Sequence, residues 1–125
     1  MVDYFKTNGL TDLVTKTSSG LYYRITKPVP GNMLIVAKDV VFTRYELRLL
    51  NETLIEENVT SATAFKFNPE KSNVIKAWKE GILLFRNGEE GYLYCPSGLG
   101  YGNTIQGKIP ASTCLKFLIR VTNVE

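Results

Sequence analysis

The sequence predicts an α+β domain in which one antiparallel sheet packs against a short helix. Two long runs alternate with a period of two. Over residues 40–50, Val41, Thr43, Tyr45, Leu47 and Leu49 fall on one side, and Arg44, Glu46 and Arg48 on the other. Over residues 113–124, Leu115, Phe117, Ile119 and Val121 face in, while Lys116 and Arg120 face out. Between them, Val74, Ile75 and Trp78 share one face of two helical turns. No strand–helix–strand alternation is present, so the five or six strands expected pair antiparallel.

In chain order, residues 2–8 ending at Gly9 predict a short helix with Tyr4 and Phe5 free to dock. Leu10 to Ser19 is polar and Thr-rich, an irregular connection. Gly20 opens a β-rich run, residues 21–26, closed by Pro28 and a Pro30-Gly31-Asn32 turn. Met33 to Ala37 predicts a brief strand. After the strand at 40–50, Asn51-Glu52 turns the chain and Leu54-Ile55-Glu56 returns. Residues 57–64 lack apolar periodicity and form a loop, and 64–67 alternate again. Asn73 is the expected N-cap of the helix and Gly81 its C-terminal stop. Arg86-Asn87-Gly88 is a turn, residues 91–95 a strand, and the Gly- and Ser-rich stretch from Pro96 to Lys108 a long loop holding Tyr101.

The 125 residues are 44% hydrophobic and 22% charged, enough for one domain with its own core. A net charge of +3 without a basic run gives no nucleic-acid signature. No apolar stretch approaches the length of a membrane span. The N-terminus lacks the order of a signal peptide, so the chain reads as cytoplasmic or as a mature, trimmed chain.

Histidine is absent, which removes the commonest general base, every Ser-His or Cys-His pairing and most zinc sites. Cys95 and Cys114 lack metal-ligand spacing and fall in expected strands. They read as two buried free thiols, with a single bridge as the alternative. No metal or cofactor is expected.

Gly98-Leu99-Gly100-Tyr101-Gly102 resembles a dinucleotide loop, but Asn103 stands where the next glycine is needed and no helix follows. The pairs Glu56-Glu57 and Glu89-Glu90 point apart and read as solvated edges. The tripeptides Asn51-Glu52-Thr53 and Asn58-Val59-Thr60 match a glycosylation acceptor at a frequency expected by chance.

What remains is a set of rings from separated elements: Tyr45, Phe65, Trp78, Tyr101 and Phe117. Trp78, the sole tryptophan, is either plain core or the floor of an apolar pocket. Two tyrosine hydroxyls in such a cluster need partners, which favours an opening to ligand or water.

Several stretches in order resemble the FKBP-type peptidyl-prolyl isomerases. They are Val74-Ile75-Lys76-Ala77-Trp78-Lys79-Glu80-Gly81, Asn87-Gly88-Glu89, residues 95–102, Ile109-Pro110 and Leu115-Lys116-Phe117. The likeness runs from about Val40 to the C-terminus with one residue deleted before Ile109. Residues 2–25 are similar to the lead-in of secreted or lipid-anchored bacterial members, which adds a periplasmic or lipid-anchored mature chain to the compartments expected.

The resemblance implies a twisted half-barrel sheet wrapped around the helix, with residues 1–27 as a helix and lead-in and 28–125 as the isomerase domain. It implies a pocket walled by Tyr45, Ile55, Phe65, Val74, Ile75, Tyr101, Ile109 and Phe117, with Trp78 beneath the proline ring. Tyr45, Glu56, Trp78, Tyr101 and Phe117 are the residues it assigns to catalysis. The N–H of Ile75 and the hydroxyl of Tyr101 are the donors it assigns to the peptide.

Proline-containing polypeptides and pocket-filling macrolides are the partners it implies. The alternative is a proline-peptide-binding module or chaperone without turnover. Ile55 replaces a family phenylalanine, Glu56 an aspartate, Ala77 a glycine and Ala111 a proline. Glu56 is therefore expected not to bond Tyr45 in the usual geometry, which weakens turnover more than peptide binding. Restoring Phe and Asp together is expected to raise kcat/KM.

Overall fold

A computed structural model describes residues 1–102 and 109–125. The elements are α1 (Val2–Thr7), β1 (Thr15–Lys16), β2 (Tyr22–Lys27), β3 (Val41–Leu49), β4 (Leu54–Glu57), β5 (Phe65–Phe67), α2 (Lys76–Gly81), β6 (Glu90–Cys95) and β7 (Leu115–Val124). Short 3-10 turns, Ile82–Leu84 and Ser97–Leu99, follow α2 and β6. All seven strands join one antiparallel sheet in the order β1-β2-β6-β7-β3-β4, with β5 also paired to β3. Among the described residues the sheet does not close.

The core fills one face of this sheet. Val41, Leu47, Leu93, Leu115, Phe117, Ile119 and Val121 project from the strands and meet Ala77, Trp78 and Ile82 from the helical segment. The long strands bury their expected apolar sides because a period of two matches the pleat.

The second face is covered in part by α1. Phe5 is buried against Tyr22 and Tyr94, with ring centroids 4.8 Å and 4.9 Å away. Lys116, expected to face solvent, lies beneath this helix. Its ammonium donates to the Glu52 carboxylate and, at 3.2 Å, to the Tyr4 hydroxyl. Outward is the right direction for Lys116, but a helix covers that side.

Five further expectations are corrected. The N-cap is Ile75, in extended conformation, not Asn73. Gly81 is no stop, since it lies inside α2 and the chain continues into a 3-10 turn. Its reason is contact: a Cβ there would stand 2.5 Å from Leu93 Cδ1. Met33 to Ala37 forms a single Leu34–Arg86 bridge rather than a strand: Ile35 is buried in the core, but Met33, Leu34 and Val36 are exposed.

Glu89 is buried, not a solvated edge. Its carboxylate accepts from the N–H groups of Arg86 and Val29 at 2.8 Å and 2.9 Å, closing the Arg86–Glu89 turn in which Gly88 takes a φ of 89°. Cys114 sits just before β7 rather than in a strand, and both thiols are free. Burial pushes the Cys95 thiol up to about 12, with Cys114 and Glu80 adding to it, so that sulfur is a poor nucleophile.

The Thr-rich connection also does more than its composition announces. Its Thr15–Lys16 strand pairs with β2, and Thr17 and Ser19 donate to the Glu80 carboxylate at 2.7 Å and 2.5 Å. The lead-in is thereby tied to the end of α2.

Candidate functional site

Strands β3 and β7 run side by side, with Tyr45 paired to Ile119 and Leu47 to Phe117. Cross-strand partners share a face, so Tyr45, Leu47 and Phe117 all look onto α2. Strand β4 continues the sheet with Glu56 opposite Leu47, on the same face. Strand β5 adds Phe65 opposite Thr43.

These side chains, with Asn73, Val74, Ile75 and Trp78 at the start of α2 and with Tyr101 from the loop after β6, enclose an open cavity of about 400 Å³. Of the residues implied by the resemblance, Tyr45, Glu56, Phe65, Val74, Ile75, Trp78, Tyr101 and Phe117 are thus brought together.

Ile55 and Ile109 are not among the residues that border the cavity. Ile55 is the extra residue of a bulge between the Leu47–Glu56 and Arg48–Leu54 pairs, and it packs against the core. Ile109 is buried in the core. Leu47 and Asn73 line the cavity without having been singled out. The alternation of β3 places Leu47 beside Tyr45, so that signal was available.

Trp78 is both core and lining. It is 4% exposed, and edge-on rings of Tyr45, Phe65, Phe67 and Phe117 surround it with centroids 5.2–5.6 Å away. Edge-to-face packing of this kind fixes the indole plane.

Polar chemistry is confined to a few groups. The Tyr45 hydroxyl donates to the Glu56 carboxylate, so the longer glutamate arm does reach its partner. The pairing of Glu56 with Leu47 brings β4 close to β3 at this point. Burial raises the Tyr45 hydroxyl above its ordinary value, and the bond to Glu56 raises it further. Burial also raises Tyr101, with the Glu56 charge adding to it. Both phenols are therefore protonated at neutral pH and able to donate.

Helix α2 begins only at Lys76, so the N–H of Ile75 lies ahead of the first helical turn. Among the described residues no group of three or more His, Cys, Asp or Glu side chains stands ready for a metal. The cavity can hold an apolar ring and offer hydrogen bonds at its edge. The Tyr101 hydroxyl supplies a donor and the one lining carboxylate an acceptor, while the Tyr45 O–H is engaged by Glu56.

The profile of the FKBP-type peptidyl-prolyl cis-trans isomerases matches residues 31–122. The chain belongs to this family. It is 33% identical over 122 residues to the "Probable FKBP-type peptidyl-prolyl cis-trans isomerase FkpA" of Neisseria meningitidis serogroup B. That match covers 97% of this chain and 44% of the relative, so the chain spans less than half the relative's length.

The "FK506-binding protein 2" of Dictyostelium discoideum is 33% identical over 113 residues, covering 88% of this chain and 81% of that one. Among solved structures, FkpA from Escherichia coli superposes with a TM-score of 0.84 at 24% identity, covering 98% of this chain and 56% of that chain. This last likeness speaks to the fold. It makes the sheet and its short helix an FKBP fold.

Proposed function

We propose that the chain is a peptidyl-prolyl cis–trans isomerase acting on X-Pro bonds of folding or unfolded polypeptides. The observation behind the proposal is the aromatic cavity over Trp78, edged by two protonated tyrosines and one carboxylate.

A prolyl bond crosses a barrier of about 18–20 kcal/mol and needs tens to hundreds of seconds unaided. Rotation about that bond breaks the amide resonance, so the twisted state carries less charge separation than the planar one. A water-poor aromatic cavity favours the less polar form, which lowers the barrier selectively. The Tyr101 hydroxyl and the Ile75 N–H are the donors assigned to the flanking carbonyls. The Glu56–Tyr45 pair fixes one wall.

This route needs no base, nucleophile or metal, in keeping with a sequence that has no histidine. A macrolide with a proline-like ring would compete for the same cavity. The chain added to a protein whose refolding is limited by a prolyl bond should shorten that slow phase, and a macrolide should abolish the effect. Binding of proline peptides without acceleration would instead make it a binding module.

A further inference from the structure

Strands β4 and β5 both pair with the same edge of β3, and they leave a gap between them. Strand β5 accounts for Val41 to Thr43, and β4 accounts for Glu46 to Arg48. Arg44 and Tyr45 have no strand partner on that edge, and Tyr45 bears a ring of the cavity wall. An edge N–H and C=O left open at this point would let the wall shift.

Asn58, one residue past β4, fills the gap. Its N–H donates to the Tyr45 carbonyl at 3.1 Å. Its side-chain Oδ1 accepts the Tyr45 N–H at 2.7 Å, and its Nδ2 donates to the Thr43 carbonyl at 3.0 Å. One asparagine therefore supplies the pairing that a continuous strand would have given.

Arg44 holds the excursion that carries Asn58. Its Nη1 lies 2.9 Å from the Asn58 carbonyl, 2.7 Å from that of Ser61 and 3.0 Å from that of Thr63. Hydrogen bonds from a guanidinium are charge-assisted and directional. The connection at 58–63 is thus folded back on β3 at the point where Tyr45 leaves the strand.

We propose that Asn58 and Arg44 are positioning residues for isomerisation. Together they lock the backbone of Tyr45 so that its hydroxyl stays bonded to Glu56 and its ring stays in the cavity wall. This rests on the isomerase reading of Tyr45 and Glu56. Neither residue borders the cavity, so each acts through Tyr45.

The test is a double-mutant cycle on the full chain, with kcat and KM measured on a prolyl peptide for wild type, Asn58→Ala, Tyr45→Phe and the two combined. Asn58→Ala is expected to lower kcat by about tenfold to a hundredfold, the scale of a 1 Å misplacement, with KM little changed. In the Tyr45→Phe background the same change should cost almost nothing more. Asn58→Asp keeps the acceptor for the Tyr45 N–H but sets a carboxylate oxygen against the Thr43 carbonyl, so it should recover at most part of kcat, and that part too should vanish in the Tyr45→Phe background. Effects that simply multiply would overturn the proposal.

If Asn58→Ala does not fold, Arg44→Lys takes its place. A lysine ammonium sits on a shorter, flexible stem without the rigid planar fork of a guanidinium, and its loss of kcat should likewise vanish in the Tyr45→Phe background. If wild type accelerates nothing, the isomerase reading falls by itself. The cycle is then read in proline-peptide affinity through Trp78 fluorescence, where coupling upholds the positioning role and additivity overturns it.

Discussion

At the scale of single residues, Trp78 and Glu56 carry the sharpest expectations. Trp78 is gripped by four rings and is almost wholly buried, so Trp78→Ala should cost about 3–5 kcal/mol in denaturant unfolding despite the adjacent cavity. In the intact protein its fluorescence should change when a proline peptide enters. Glu56 already reaches Tyr45, so Glu56→Asp shortens a working contact by about 1.5 Å. The double change Ile55→Phe with Glu56→Asp is now expected to leave kcat/KM level or lower, the reverse of what the sequence suggested. A rise on a prolyl peptide would show that the phenylalanine reaches the cavity after all. The aromatic wall was legible because Tyr45, Leu47 and Phe117 obey a period of two. The place of Ile55 was not, since a bulge breaks that period without any glycine or proline to announce it.

At the scale of elements, helix α2 is short and depends on what it touches. Its apolar face was readable from Val74, Ile75 and Trp78, whereas its ends were misread. Gly81 has the residue type of a C-terminal stop, but only the approach of Leu93 explains it, and that contact is long-range. Gly81→Ala gains about 1 kcal/mol of helix propensity and meets a wholly buried leucine, an overpacking worth about 1–3 kcal/mol. Overpacking wins, so the midpoint of thermal unfolding should fall. A higher midpoint would mean that Leu93 can swing aside. Thr17 and Ser19 hold the same helix from the lead-in, a tie that polar composition alone could not predict because it forms with Glu80 far along the chain. Asn58 and Arg44 were hidden for a related reason. Their hydrogen bonds depend on which edge of β3 the neighbouring strands choose.

At the scale of the whole molecule, each face of the sheet has a helix against it, and the outer one is held by charge as well as by Phe5. The bond to Lys116 lowers Glu52 below its ordinary 4.5, outweighing burial. For Lys116, burial pulls downward, but the bonds to Glu52 and Tyr4 prevail and leave it above its ordinary 10.5. A lowered carboxylate stabilises the fold above its unfolded value and loses that contribution as pH falls through the folded one. A raised ammonium stabilises below its unfolded value and loses it as pH rises through the folded one. The stability difference between wild type and Glu52→Gln should therefore be level between the two ordinary values and shrink on the acid side. A difference that grows in acid would contradict the pairing. The antiparallel sheet and its central helix were written in the sequence as periodicity, while the cover over the outer face was visible only as an unassigned Tyr4 and Phe5. The strand order has a consequence for synthesis. Strand β7 lies between β6 and β3 yet follows every other strand in chain order. As the polypeptide leaves the ribosome, β1, β2 and β6 can gather on one side and β3, β4 and β5 on the other, but no strand joins the two until β7 emerges. Until then two strand edges stay unmatched, and this sheet is completed only when β7 is laid between them.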